Sequence, residues 1–115
     1  MKKIIIGLCF ALSFQLTNAS TMPIEEQEEK LGFCKEVLGA AIFNSVLETV
    51  CDFDGGVKDK LKNIYDSADC REIVPQETVE NLSRDVLQDS RDRYKVFGEK
   101  KFCEDNLRGY SDLMD

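Results

Sequence analysis

Cys34, Cys51, Cys70 and Cys103 limit what this chain can fold into more than any other residues. They are separated by 17, 19 and 33 positions. Zinc sites bring their cysteines in close pairs such as C-x-x-C, and a thiol redox site needs the same close pair with one depressed thiol pKa. Neither spacing is present. An even set of widely spaced cysteines in a short chain reads instead as two disulfides, fastening a core too small to hold itself. Disulfides require an oxidising compartment, and the start of the chain is consistent with one.

Lys2 and Lys3 precede an almost wholly apolar run from Ile4 to Leu16, and Thr17-Asn18-Ala19 provides a small residue for cleavage. That is the three-part pattern of a secretory signal peptide. A run of about a dozen apolar residues is too short for a stable bilayer-spanning helix. Cys9 lies within the run and is read as removed with it, because Leu8 stands where a lipoprotein cysteine needs a small neighbour. The expected organisation is a signal peptide at 1–19 and a single helical domain at 20–115, in a periplasmic or secreted protein. About 96 residues fit one domain.

The chain carries a net charge of −7, which becomes about −9 when Lys2 and Lys3 are lost with the signal. Phosphate backbones and anionic membranes repel such a surface, so nucleic acid and a stable membrane anchor are not expected, and a basic partner is favoured.

Helical periodicity covers most of the remainder. Glu25 to Val50 carries strong helix formers, with Pro23 at its start and Glu25, Glu26, Glu28 and Glu29 complementing the helix N-terminus. Leu31, Cys34, Leu38, Ala41, Ile42, Ser45 and Val46 recur at helical spacing, and Val37, Phe43, Leu47 and Val50 widen the stripe. So broad a stripe predicts a central helix with neighbours on several sides. Gly32 and Gly39 are possible break points. Asp52-Phe53-Asp54-Gly55-Gly56 predicts a turn. A second helix follows, with Val57, Leu61, Ile64, Tyr65 and Ala68 on one face. Ile73-Val74-Pro75 interrupts again, because the residue before proline avoids helical geometry. A third helix is predicted from Gln76 to Phe97, capped by Gly98, and a short fourth from Glu99 to Arg108, ended by Gly109. No segment alternates long enough to argue a strand. The expected fold is all-α, a small disulfide-stapled bundle of three to four helices.

Helix geometry then bears on the bridges. Cys34 and Cys51 on one unbroken helix stand about 25 Å apart, whereas bridged α-carbons lie within about 7 Å. If the second helix folds back antiparallel, it carries Cys70 to Cys34. The third returns and delivers Cys103 to Cys51. Cys34–Cys70 with Cys51–Cys103 is therefore expected. Cys51–Cys70 with Cys34–Cys103 is the alternative, and would require the second helix to cross the first.

Little catalytic chemistry is left. The chain has no histidine, so the commonest general base is missing. Asp52 and Asp54 lack the glycine and glutamate that would complete an EF-hand loop, and Gly55-Gly56 lacks the lysine of a phosphate-binding loop. No enzyme activity, metal or cofactor is expected. Candidate interface residues are the tyrosines, which are enriched at binding hot spots, and the cations of the helix containing DVLQDSRDRYK. They are Tyr65, Arg84, Arg91, Arg93 and Tyr94, with Tyr110 as a further tyrosine. Asp89 and Arg93 stand four apart and are expected to pair. The expectation is an exported acidic module that binds another exported protein, in the manner of an inhibitor or immunity protein. The alternatives are an acid-stress chaperone and a small-ligand carrier or enzyme using carboxylates.

Overall fold

The computed structural model describes residues 23–114; the expected signal peptide and its cleavage site lie outside them. The chain divides into two units, residues 1–30 and 31–115. Four helices follow one another among the described residues: α1 (Ile24–Val50), α2 (Val57–Ser67), α3 (Cys70–Ile73) and α4 (Gln76–Met114). All regular elements among the described residues are helical. α1 runs unbroken through Gly32 and Gly39.

The turn between α1 and α2 is built as its residues predict. Asp52 adopts a left-handed conformation (φ 50°), and Gly56 does the same at φ 81°. Asp54 Oδ1 accepts from the Gly56 N–H at 3.0 Å, the local bond that makes aspartate a turn residue. Gly55 is required for a different reason. A Cβ there would lie 2.8 Å from the Tyr110 ring and 2.9 Å from the Met114 sulfur.

Two core clusters show how the helices run. Cys34 and Val37 of α1 pack with Tyr65, Cys70 and Val74. Farther along α1, Leu47 packs with Val57 and Leu61 from the start of α2, and with Phe102 and Tyr110 of α4. The start of α2 thus lies by the end of α1, and its end lies by Cys34. α2 is antiparallel to α1. The disulfides follow: Cys34 bonds Cys70 across a Cα separation of 5.4 Å, and Cys51 bonds Cys103 across 5.7 Å. This is the expected pairing, with one bridge in each cluster. Such bridges are those of a chain that matures in an oxidising environment.

α4 is two helical limbs joined at Gly98, whose φ of 84° and ψ of 165° belong to a region open essentially to glycine alone. The expected stop at Phe97 is therefore present. The expected stop at Gly109 is not, because the second limb continues to Met114. A glycine inside a helix costs about 1 kcal/mol relative to alanine. Here the cost is offset by what lies beyond it. Tyr110 is fully buried, its hydroxyl accepts from the Gly55 N–H at 2.6 Å, and Lys60 Nζ donates to the Leu113 carbonyl at 3.0 Å.

Candidate functional site

α1 supplies the floor of the site. Its broad apolar stripe is only partly covered by α2 and α4. Leu47 is sealed in the core, while Ile42, Val46 and Val50 stay half-exposed at four-residue spacing. They line an apolar groove of about 490 Å³, with Leu38, Tyr65 and Leu87 also on its walls. Val46, Thr49, Val50 and Leu87 also line a second hollow of about 530 Å³, which reaches Tyr94 and Phe102. The two form one trough along α1. From Leu38 to Val50 it follows about 18 Å of helix.

The trough is bordered by cations. Lys58 and Lys62 of α2 line the first hollow and Arg91 of α4 the second. The ion pairs among the described residues are Arg71–Asp66, Arg93–Asp89 and Lys101–Asp105, so these three cations are unpaired. No carboxylate lines the first hollow, and Glu99 is the one carboxylate lining the second. The arrangement can hold an elongated apolar body and meet negative charge at its edges. It brings no pair of carboxylates together for acid–base work. Among the described residues no group of His, Cys, Asp and Glu is placed to hold a metal ion, and no helix is long and apolar enough to cross a membrane.

The candidate interface residues divide between this trough and elsewhere. Tyr65, Arg91 and Tyr94 line it. Arg93 lies on the opposite flank of α4, where it pairs with Asp89 at 2.9 Å and sits 6.0 Å from the Phe43 ring. Arg84 lines none of these hollows; it donates to Asn81 Oδ1 within its own helix. Tyr65 also contributes to the core, and burial pushes its phenol above the ordinary value, opposed by Arg71 and reinforced by Asp66. Tyr110 is a core residue. The residues that sequence reasoning missed are Ile42, Val46, Val50, Leu87, Lys58 and Lys62. The apolar ones were visible as part of a wide stripe, but the stripe does not say which portion its neighbours leave bare.

No family model, curated protein or solved structure matches this chain.

Proposed function

We propose that this is an exported binding module whose working surface is the trough on α1, and that it seats an amphipathic helix of another exported protein. The observation that carries this is a half-exposed apolar row, Ile42–Val46–Val50, lying between two helical walls. Helix-in-groove recognition uses such a surface, with anchors on the incoming helix at the same three- and four-residue spacing. Charge at the rim narrows the partner. Net charge favours a basic protein in solution, yet only charges within about 8 Å act strongly at contact. Lys58, Lys62 and Arg91 therefore favour a helix whose apolar stripe is flanked by carboxylates.

Two synthetic helices with one shared apolar stripe test this, one flanked by glutamate and one by lysine. Calorimetry with the oxidised protein should show the glutamate helix binding, and Val46→Asp should abolish that binding without loss of helicity. Binding by neither helix, or equal binding by both, contradicts the proposal. Capture from the host's exported fraction, with Val46→Asp as the control bait, then identifies the natural partner as whatever the variant fails to retain.

A second reading, a carrier of elongated apolar small molecules, is favoured by the size of the two hollows, which falls within the range of about 300–1,000 Å³ typical of ligand pockets. Native mass spectrometry of protein purified from its host separates the two. A retained small mass lost in Val46→Asp supports the carrier.

A further inference from the structure

The two bridges differ in how far a reagent can reach them. Cys34 and Cys70 are 1% and 0% exposed, sealed among Val37, Tyr65 and Val74. Cys51 and Cys103 are both only half-buried. Cys51 stands where α1 has ended and the turn has begun, and the next two residues, Asp52 and Phe53, are exposed. Thiol–disulfide exchange requires a thiolate to reach a bridge sulfur, so access ranks the two bridges. The packing around the accessible bridge matters as much. Leu47, Val57, Phe102 and Tyr110 are fully buried beside it, and the Tyr110–Gly55 hydrogen bond ties the second limb of α4 to the turn that follows Cys51. Opening the bridge therefore leaves Cys51 and Cys103 near their present Cα separation of 5.7 Å, ready to reclose. Their chain neighbours Val50 and Phe102 line the second hollow of the trough. The bridge thus joins the floor of the trough to its α4 wall.

We propose that Cys51–Cys103 is a redox-exchangeable bridge: a dithiol reductant opens it while Cys34–Cys70 stays shut, and its state sets how firmly the second hollow of the trough is held. In the opening step one thiolate of the dithiol attacks a bridge sulfur. A mixed disulfide forms, and the other cysteine leaves as a thiolate and takes up a proton. The dithiol's second thiolate then displaces the remaining cysteine, which is protonated in turn. Two electrons pass to the protein, which gains two thiols, and the dithiol departs as its own disulfide. The partner's chemical class is a protein dithiol of the C-x-x-C kind, whose lowered thiol pKa supplies the attacking thiolate. Reclosing is the reverse exchange, with an oxidised disulfide as electron acceptor. Without the bridge, Val50 and Phe102 keep their spacing through side-chain contacts alone, so the hollow loosens while the core beneath it stays closed. The effect on a bound partner rests on the trough being the working surface; selective opening of the bridge does not.

Oxidised protein is treated in native buffer with limiting dithiothreitol or with reduced thioredoxin. Free thiols are blocked with N-ethylmaleimide and the blocked sites mapped by mass spectrometry. Cys51 and Cys103 should be labelled at least about tenfold faster than Cys34 and Cys70. Helicity by circular dichroism should be retained, and oxidised glutathione should restore Cys51–Cys103. The chain has no tryptophan, and Tyr94 packs edge-on to Phe102 with ring centroids 5.8 Å apart, so Tyr94→Trp reports on the second hollow. Its emission should move to the red on opening and return on reclosing. The same reporter in Cys51→Ser/Cys103→Ser should emit at the red position with or without dithiol. The glutamate-flanked helix should bind the opened form about tenfold more weakly than the oxidised form, because preorganisation is lost. Labelling of Cys34 and Cys70 first, or of all four cysteines together, overturns the proposal. So does an unmoved emission, an unchanged helix affinity or a failure to reclose. A helix that binds neither form contradicts the reading of the trough instead, and labelling and emission then decide the bridge on their own.

Discussion

Around the Cys34–Cys70 bridge, the buried core consists of Val37, Tyr65 and Val74, with the single turn of α3 as its lid. Around Cys51–Cys103, Leu47, Val57, Leu61, Phe102 and Tyr110 are buried, and three edge-on aromatic pairs join Phe43 to Phe102, Tyr94 to Phe102 and Phe53 to Tyr110. The bridges close 36 and 52 residues. In the chain-entropy model those lengths are worth nearly the same, about 4 kcal/mol each. The two ends therefore differ little in what their bridges do to the unfolded chain. They differ in what holds the folded chain once a bridge is gone. The aromatic end has large side chains and a Tyr110–Gly55 hydrogen bond to keep it closed. The Cys34 end has smaller buried side chains, with Leu31, Leu38, Ala68, Ile73 and Val79 packed at their edge.

The largest effects should come from the bridges. Cys34→Ser/Cys70→Ser and Cys51→Ser/Cys103→Ser should each cost about 4 kcal/mol in the oxidised protein, read from urea midpoints, with totals that nearly coincide. A clear inequality in total stability would mean that native packing, not chain entropy, dominates one bridge.

Side-chain truncation sharpens the contrast. Phe102→Ala should cost about 3–5 kcal/mol, as fully buried aromatics do. Val74→Ala at the other end should cost about 1–2 kcal/mol, in proportion to the smaller apolar area it removes. Equal losses would show that the Cys34 end is better packed than its composition indicates.

Backbone constraints come next, and both lie at the aromatic end. Gly98→Ala places a Cβ in a region reserved for glycine and should cost about 1–3 kcal/mol. Gly55→Ala drives a methyl into Tyr110 and Met114 and should cost about 1–3 kcal/mol. Thermal unfolding measures both. A neutral Gly55→Ala would mean that the second limb of α4 shifts freely, and that the closure ascribed to Tyr110 is weak.

Tyr65 provides a pH probe confined to the Cys34 end. Its folded pKa lies above the ordinary 10.0 because burial disfavours the phenolate. The corresponding stability is whole below pH 10 and is lost as pH rises through the folded value. Tyr65→Phe should flatten that part of the alkaline decline in denaturant midpoint. An unchanged decline would show that the ring is solvated. Smaller still, Arg93→Ala should cost only a few tenths of a kcal/mol, since its pair with Asp89 is exposed and four residues apart.

The two ends were unequally legible in the sequence. The bridges followed from counting 1.5 Å per residue along helices bounded by Gly55-Gly56 and Val74-Pro75. The break at Gly98 followed from a glycine placed after a helical stripe. Gly109 carried the same signal and misled, because nothing local reveals that Tyr110 enters a core whose partner is 55 residues away. The second limb is therefore longer than the glycine indicates, and Phe102 and Tyr110 hold it together with its disulfide. The trough was illegible for a related reason. Periodicity gives the apolar faces of a helix, but only packing shows that Ile42, Val46 and Val50 are left half-open.

Native-state hydrogen exchange on the two bridge-deleted variants tests most directly whether the ends differ in their own packing. Without Cys34–Cys70, amides of residues 66–79 should lose protection while those of 99–110 keep it, because only the first segment depends on its bridge. Without Cys51–Cys103, residues 99–110 should stay protected through Phe102 and Tyr110 to within about 1–2 kcal/mol of global stability. If residues 99–110 instead exchange freely in that variant while 66–79 stay protected, the aromatic end is held by its disulfide, and the contrast between the ends is contradicted.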